Sequence, residues 1–188
     1  ANGITCAKVS EAGGMADGGA QDIFIAYPLV GAFRIRRALA LARRVRRLIL
    51  AVDSPPGASA LSAAAAEAGM ILEVRLEVDT GAKRTGAAQA EVVALAKAVD
   101  ALPGLRLTGI YTFKSLVLQG APTTNADEAA EEEAQMMASL ANPLEDAGLA
   151  GLELSSGPTP TGLAVARPGL ADELRPGTYL LNAYLLAM

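Results

Sequence analysis

Short apolar runs alternate with longer amphipathic segments along almost the whole chain. The apolar runs predict seven strands, and amphipathic or alanine-rich segments fill most of the gaps between them. This alternation, in units of about 20–30 residues, is typical of a parallel α/β sheet. The predicted strands are Ile4–Val9, Asp22–Tyr27, Leu48–Val52, Ile71–Val78, Leu105–Phe113, Gly151–Ser155 and Asp172–Leu181.

The predicted helices have recognisable starts and stops. Ser10 is a good N-cap for a first short helix that ends at Gly18-Gly19, and Pro56 opens an alanine-rich helix that closes at Gly69. Positions 33–47 predict a helix with one apolar face and arginines on the rest. The remaining helices are expected over about 88–102 and over the acidic stretch 126–147, with a bend at Pro143.

Two architectures compete for this pattern. A doubly wound sheet usually has a glycine-rich nucleotide turn after its first strand, but Ser10-Glu11-Ala12 follows here and no G-x-G-x-x-G occurs in the sequence. A (β/α)8 TIM barrel typically needs about 250 residues and eight strands. We therefore expect an incomplete TIM barrel, in which the first βα unit is missing and strands 2–8 are present.

Composition narrows the class of protein. The chain has 188 residues, 52% of them hydrophobic, which is enough for one domain with an aliphatic core. A net charge of −4 argues against nucleic-acid binding, and no apolar run reaches the length of a membrane helix. The absence of histidine excludes catalytic triads that contain His and metal sites that use His ligands. The single cysteine, Cys6, excludes an internal disulfide. A lone thiol fits a reducing compartment, so we expect a cytoplasmic protein with Cys6 in its core.

Polar side chains recur where the predicted strands end. In a barrel this rim carries the chemistry, although polarity also resumes at strand ends for no functional reason. Two turns, Ser155–Thr159 and Arg175–Thr178, have the glycines and hydroxyls of an anion site, with ordinary turns as the alternative. The strand-end residues are Lys8, Tyr27, Asp53, Asp79, Arg84, Tyr111, Lys114, Ser115, Ser155, Ser156, Gly157, Arg175 and Gly177.

Several of these segments resemble one enzyme family. The segments GITCAKVSEA, IAYPLVG, EVDTGAKRTG, SSGPTPT and LRPGTYLLN are together similar to the alanine-racemase-type (fold type III) barrel of pyridoxal-phosphate enzymes, and most similar to its D-threonine aldolase and D-serine dehydratase branch. The resemblance implies pyridoxal 5'-phosphate as cofactor. It also implies cofactor-binding roles for Arg84, Tyr111, Ser156, Gly157, Thr159, Arg175, Gly177 and Thr178.

The resemblance also implies parts that this sequence does not hold. The family's Schiff-base lysine would lie upstream of Ala1, so no catalytic residue is assigned in this chain, and Lys8 is not that lysine. The family's C-terminal β domain would follow Met188, and a divalent metal is expected only there. Pro158 stands where relatives often have Gly, Ser or Thr, which removes one backbone N–H donor from the phosphate turn.

The expected function follows from the resemblance. We expect part of a lyase that cleaves a β-hydroxy-D-amino acid into glycine and an aldehyde, with an amino-acid racemase or a D-serine dehydratase as alternatives. A non-catalytic cofactor-binding fragment is the alternative of another class. The expected partner is a small amino-acid substrate, not nucleic acid or membrane, and a homodimeric parent protein stays open. The acidic residues of 127–133 are expected to stabilise a helix N-terminus and not to bind metal.

Overall fold

Parallel strands and helices alternate along the chain in the computed structural model, which describes residues 2–114, 116–159, 161–166 and 171–177. The strands are β1 (Ile4–Cys6), β2 (Asp22–Ile25), β3 (Arg47–Val52), β4 (Leu72–Val78), β5 (Leu105–Thr112), β6 (Val117–Leu118), β7 (Ala121–Pro122), β8 (Glu153–Ser156) and β9 (Glu173–Leu174). The helices are α1 (Val9–Asp17), α2 (Ala32–Ala42), α3 (Pro55–Glu67), α4 (Val92–Asp100), α5 (Ala126–Ala138), α6 (Ala141–Asp146) and α7 (Gly162–Val165). A 3-10 turn at Gln89–Glu91 precedes α4.

Within the described ranges, seven strands form one sheet in the order β1-β2-β3-β4-β5-β8-β9. The pairing is parallel, for example between Ile23 and Leu48 and between Tyr111 and Ser155. A doubly wound sheet reverses its strand order at a switch point, whereas this order follows the sequence. The prediction of a parallel α/β sheet of barrel type is therefore confirmed at the level of strand order. The missing first βα unit stays a prediction.

The chain divides into two units, which are described separately. The first unit comprises Ala1–Leu76 and Ala94–Thr108, and the second comprises Glu77–Val93 and Gly109–Met188. In the first unit, β3 is buried almost continuously from Leu48 to Val52, as expected for a parallel strand covered on both faces. Helix α2 places Ile35, Ala38 and Leu39 in this core, and its arginines are exposed.

The core of the second unit contains more polar side chains. Helix α5 begins after Asn125, whose side chain accepts a hydrogen bond from the Glu128 N–H at 3.2 Å. Its buried face includes Ala130, Ala134 and Met137. The same face also buries Glu133, whose contacts are described below. No helix of the described residues is long and apolar enough to cross a membrane.

The first turn of the chain corrects one prediction. Strand β1 ends at Cys6 and α1 begins at Val9, with Lys8 as its N-cap, so Ser10 is inside the helix and is not the N-cap. The Glu11 carboxylate accepts a hydrogen bond from the Ala7 N–H at 2.9 Å, which satisfies the backbone just before the helix. The N-cap Lys8 makes no side-chain capping hydrogen bond, so the predicted capping by Ser10 is wrong.

Other elements also differ from the predicted ones. Helix α2 ends at Ala42 because Arg47 already belongs to β3 and pairs with Asp22. The acidic segment splits into α5 and α6 before Pro143, which sits in the first turn of α6, where its missing N–H is tolerated. The short β6–β7 hairpin was not predicted because two-residue strands leave no periodic signal. The last strand ends at Leu174, before Arg175, and so is shorter than predicted; the predicted stretch 178–181 lies outside the described residues.

Candidate functional site

The loop after β4 is wrapped around the side chain of Asp79. Its Oδ1 accepts hydrogen bonds from the N–H groups of Gly81 at 2.9 Å and Lys83 at 3.0 Å. The loop closes where the Asp79 N–H donates to the Ala87 carbonyl at 2.9 Å. Gly86 has φ of 103°, and a Cβ there would lie 2.7 Å from the Asp79 nitrogen. Asp79, predicted as a strand-end polar residue, therefore serves as the acceptor that shapes its own loop.

Arg84 lies on the exposed part of this loop. Its guanidinium is 4.4 Å from the centroid of the Phe113 ring, just beyond the end of β5. Such a cation–π contact is worth about 0.5–1 kcal/mol at an exposed site. The contact connects the loop after β4 with the end of β5. The cofactor-binding role of Arg84 stays a prediction.

Tyr111 and Glu77 form a buried polar pair between β5 and β4. The Tyr111 hydroxyl donates to Glu77 Oε2 at 2.8 Å, and the Thr85 hydroxyl donates to Oε1 at 2.8 Å. Tyr111 is fully buried and Glu77 is 2% exposed. Both carboxylate oxygens are thus engaged, as buried polar atoms require. The ring of Tyr111 is held in one orientation by its hydroxyl.

Arg175 joins the ends of three strands. Its Nη2 donates to the main-chain carbonyl of Thr112 at the end of β5 and to that of Ser155 in β8, the latter at 3.5 Å. Its guanidinium lies 5.2 Å from the centroid of the Tyr111 ring. Because a guanidinium stays protonated at any physiological pH, Arg175 is a fixed cation beside a buried aromatic ring.

The turn after β8 is anchored to α5 by a buried acid. The Glu133 carboxylate accepts hydrogen bonds from the Ser156 hydroxyl at 2.5 Å, the Gly157 N–H at 3.0 Å and the Thr161 hydroxyl at 3.0 Å. Gly157 has φ of 73°, and a Cβ there would lie 2.8 Å from Leu174 Cδ2, so the position requires glycine. The predicted donor N–H of Gly157 is therefore already engaged by a side chain.

The two predicted anion turns lie next to each other. The Gly177 N–H donates to the Thr159 hydroxyl oxygen at 2.9 Å, and the Arg175 N–H donates to the Gly157 carbonyl at 3.3 Å. Thr159 is half-buried and Gly177 is exposed. This adjacency is what a shared phosphate site needs. The binding roles of these residues stay predictions, and Thr178 lies outside the described residues.

Lys114 is completely buried and forms an ion pair with Glu132 of α5. The Glu132 carboxylate also accepts a hydrogen bond from the Gln119 N–H at 3.1 Å. Burial acts to raise the pKa of Glu132, but the hydrogen bonds from Lys114 and Gln119 outweigh it and lower that pKa below its ordinary value. Glu132 therefore connects Lys114 with the hairpin after β5, a contact that the sequence did not indicate.

Other predicted strand-end residues belong to the first unit. Lys8 and Tyr27 are exposed and line a cavity of about 580 Å³ between the turns after β1 and β2. Asp53 lines a smaller cavity of about 210 Å³. Cys6 is 3% exposed, and burial together with the charge of Glu11 raises the pKa of its thiol to about 11, which suits an inert core residue. Ser115 lies outside the described residues.

No cluster of three or more potential metal ligands occurs among the residues that the structure describes.

The family model described as alanine racemase, N-terminal domain, matches residues 1–184. The chain belongs to the alanine racemase N-terminal domain family. Its sheet, with helices between successive parallel strands, is the fold of that family.

Relatives of this family domain include two enzymes and a solved structure. The D-threonine aldolase of an Arthrobacter species is 33% identical over 180 residues, 95% of this chain and 47% of that protein. The D-threo-3-hydroxyaspartate dehydratase of a Delftia species is 33% identical over 182 residues, 96% of this chain and 48% of that protein. The crystal structure of D-threonine aldolase from Filomicrobium marinum matches with a TM-score of 0.83 at 26% identity, covering 94% of this chain and 48% of that one. The chain thus spans about half the length of these relatives.

Enzymes of the alanine racemase family use pyridoxal phosphate, an aromatic ring that carries a dianionic phosphate. The second unit offers a donor set that fits such a group, because the cation of Arg175 lies beside Tyr111 and the turns at Thr159 and Gly177 adjoin. Two backbone donors of these turns are engaged within the protein, because the Gly157 N–H donates to Glu133 and the Gly177 N–H donates to the Thr159 hydroxyl oxygen. The fit therefore depends on the other groups of these turns.

Sequence reasoning missed three acids in this domain. Glu77 was read as part of a strand, and Glu132 and Glu133 were read as helix-stabilising charges. The structure buries Glu77 and Glu133 and pairs Glu132 with Lys114. One signal was available for Glu133, because it lies three residues after Ala130 and four before Met137, and hence on the buried face.

Proposed function

We propose that this chain is the pyridoxal-phosphate-binding part of a lyase that cleaves a β-hydroxy-D-amino acid into glycine and an aldehyde. The observation that carries the proposal is the fixed cation of Arg175 at the ends of β5, β8 and β9, beside the buried ring of Tyr111. It is supported by the match to a D-threonine aldolase, which is 33% identical over 95% of this chain. When bound, pyridoxal phosphate supplies the electron sink that stabilises negative charge at the substrate Cα.

The residues of this chain would hold the group in place. Arg175 would meet the ring, and the adjacent turns at Thr159 and Gly177 would receive the phosphate. Because Arg175 stays protonated, it can donate a hydrogen bond but cannot accept a proton. Arg175 would therefore hold an acceptor atom of the ring without supplying a base for its proton. This favours reactions that need only modest stabilisation of a carbanion.

Dehydration of a β-hydroxy-D-amino acid is the second candidate. It is supported by the similarity to a D-threo-3-hydroxyaspartate dehydratase, which is as high as that to the aldolase. The two reactions begin with the same class of substrate but break different bonds. Aldol cleavage breaks Cα–Cβ and releases an aldehyde, whereas dehydration breaks Cβ–O and ends in a keto acid and ammonia.

The products of the intact protein test the proposal. We expect D-threonine with pyridoxal phosphate to give glycine and acetaldehyde, followed with alcohol dehydrogenase and NADH. Oxaloacetate and ammonia from D-threo-3-hydroxyaspartate would favour the dehydratase, and L-alanine from D-alanine would favour a racemase. Binding of pyridoxal phosphate without any of these products would mean a non-catalytic cofactor-binding protein. The proposal fails if the protein does not bind pyridoxal phosphate.

A matched pair of arginine variants tests the site itself. Arg175→Lys keeps the charge but loses the forked donor geometry, so we expect the affinity for pyridoxal phosphate to fall about tenfold. Arg36→Lys changes an exposed arginine of α2 in the same way and should leave the affinity unchanged. The absorbance change on cofactor binding gives both dissociation constants. Equal affinities for the two variants would remove Arg175 from the site.

A further inference from the structure

A buried carboxylate organises the turn after β8. Glu133 has no exposed surface, and both of its carboxylate oxygens accept hydrogen bonds. Oε1 accepts from the Ser156 hydroxyl and the Gly157 N–H, and Oε2 accepts from the Thr161 hydroxyl. All three donors belong to one short segment between β8 and α7, of which the structure describes residues 156–159 and 161. One side chain of α5 thus holds both ends of this segment.

The segment is also held from the side of β9. The Arg175 N–H donates to the Gly157 carbonyl at 3.3 Å, and Leu174 leaves no room for a Cβ at Gly157. Within the turn, the Thr161 N–H donates to the Pro158 carbonyl at 3.1 Å. The conformation of the turn is therefore determined by contacts from two elements, and Glu133 supplies those from α5.

The engagement by Glu133 divides the groups of the turn into two sets. The Ser156 hydroxyl and the Gly157 N–H are directed to the carboxylate of α5. The Thr159 hydroxyl lies beside the other turn, where it accepts from the Gly177 N–H. An anion bound at these turns would therefore meet the neighbourhood of Thr159 and Gly177, and Glu133 would act on it only through the shape of the turn.

We propose that Glu133 is a positioning residue for the phosphate of the cofactor, acting by fixing the turn at residues 156–159 and 161. This inference rests on the proposed function, because it assumes that the turns receive the phosphate of pyridoxal phosphate. It assigns a role to an acid that would otherwise count as a helix-stabilising charge. It also makes the required acceptor geometry, and not the negative charge, the property that matters.

Three variants of the intact protein separate geometry from charge. Glu133→Ala removes the acceptors and should weaken the binding of pyridoxal phosphate about tenfold, as the loss of one good hydrogen bond would. Glu133→Gln keeps one acceptor oxygen and can donate to the Thr161 hydroxyl, so it should restore the affinity. Glu131→Ala, on the exposed face of the same helix, is the matched control and should bind like the wild type.

Pyridoxal, which lacks the phosphate, provides the discriminating probe. Calorimetric titration should show that Glu133→Ala weakens the binding of pyridoxal phosphate but leaves the binding of pyridoxal unchanged. Hydrogen exchange of the Gly157 amide should accelerate in Glu133→Ala and not in Glu133→Gln, which reports the turn without any ligand. If Glu133→Ala does not fold, Thr161→Val removes a single donor and should show the same selectivity, about threefold in size.

The outcomes separate this inference from the proposed function. A wild-type protein that binds neither pyridoxal phosphate nor pyridoxal overturns both. When the wild type binds, equal weakening of the two ligands by Glu133→Ala overturns the positioning role in favour of general support of the fold. Unchanged binding by Glu133→Ala also overturns it. Tighter binding by Glu133→Gln than by the wild type would make the carboxylate a competitor of the phosphate, which contradicts the inference as well.

Discussion

Buried polar side chains are distributed unequally between the two units. Among the described residues, eight of the ten buried polar or charged side chains belong to the second unit. The two in the first unit are Ser62, which donates to the Pro103 carbonyl at 2.7 Å, and Arg75, whose guanidinium lies 5.0 Å from the ring centroid of Phe24. The eight are Glu77, Thr80, Thr112, Lys114, Glu133, Ser155, Ser156 and Thr161.

Strand β4 shows the contrast within one element. Glu73, near its start in the first unit, pairs with Arg47 and Arg106, both at 2.8 Å, and the Arg106 side chain is 64% exposed. Glu77, near its end in the second unit, accepts from the hydroxyls of Tyr111 and Thr85 and is 2% exposed. The first acid belongs to a partly exposed ion-pair network, and the second belongs to a buried hydrogen-bond network.

The difference between the two acids has a physical meaning. Exposed ion pairs are screened by water and contribute little to stability, whereas a buried polar group is unfavourable unless every partner is present. A protein that keeps several such groups at the ends of neighbouring strands holds them in fixed positions. The second unit is therefore where positioned chemistry is expected, and the first unit contributes mainly apolar core.

The largest expected effect comes from exchanging one acid of β4 at a time. Glu77→Ala removes the acceptor of the buried Tyr111 and Thr85 hydroxyls, so the free energy of unfolding should fall by about 2 kcal/mol. Glu73→Ala makes the same chemical change in a partly exposed ion-pair network and should cost less than about 1 kcal/mol. Urea denaturation of both variants measures the difference. Equal losses would show that burial does not separate the two networks.

Acid titration is a smaller and more selective test. Burial acts to raise the pKa of Glu73, but hydrogen bonds from Arg47 and Arg106 outweigh it and hold the pKa below its ordinary value of 4.5. The pKa of Glu132 is lowered in the same sense. A carboxyl group with a depressed folded pKa adds stability above the unfolded value, and this stability is lost as the pH falls through the folded value.

We expect the free energy of unfolding to decline as the pH falls below about 4.5. Glu73 of the first unit and Glu132 of the second unit should each contribute to this decline. Glu73→Gln and Glu132→Gln should each make this decline shallower, and Glu131→Gln should follow the wild type. Urea midpoints at several pH values between about 7 and 3 give the slopes. A wild-type slope in Glu132→Gln would mean that its pair with Lys114 contributes nothing measurable.

The smallest effect concerns the thiol of the first unit. With a pKa of about 11, Cys6 carries little thiolate near neutral pH, and it is 3% exposed. We expect a disulfide reagent such as dithionitrobenzoate to label it slowly in the native protein and rapidly in urea. Rapid labelling of protein that retains its native circular dichroism would show that the end of β1 is open.

Much of the fold could be predicted because burial in parallel strands leaves a clear local signal. The run from Leu48 to Val52 is continuously apolar and is a buried strand. Prediction failed where a boundary depends on a contact from elsewhere. Helix α1 starts before Ser10, where the Glu11 carboxylate accepts a hydrogen bond from the Ala7 N–H. Helix α2 ends before the predicted residue because Arg47 belongs to β3 and pairs with Asp22.

The candidate site divides in the same way. The turns with Gly157 and Gly177 were recognisable from their residue types, and the structure places them side by side. The acids that fix the neighbouring side chains are harder to recognise. Glu77 looks like any acid of a strand, and only its helical spacing from buried apolar residues distinguishes Glu133. Their partners, Tyr111 and Ser156, lie 34 and 23 positions away.

The sequence by itself determined the parallel α/β class, the order of the elements and the kinds of side chain at the strand ends. These depend on periodicity and residue type, which are local properties of the chain. The tertiary structure alone decided which acids are buried, which donors they engage and which turn is held by α5. Burial and hydrogen-bond pairing arise between segments far apart in the chain, so no local pattern specifies them.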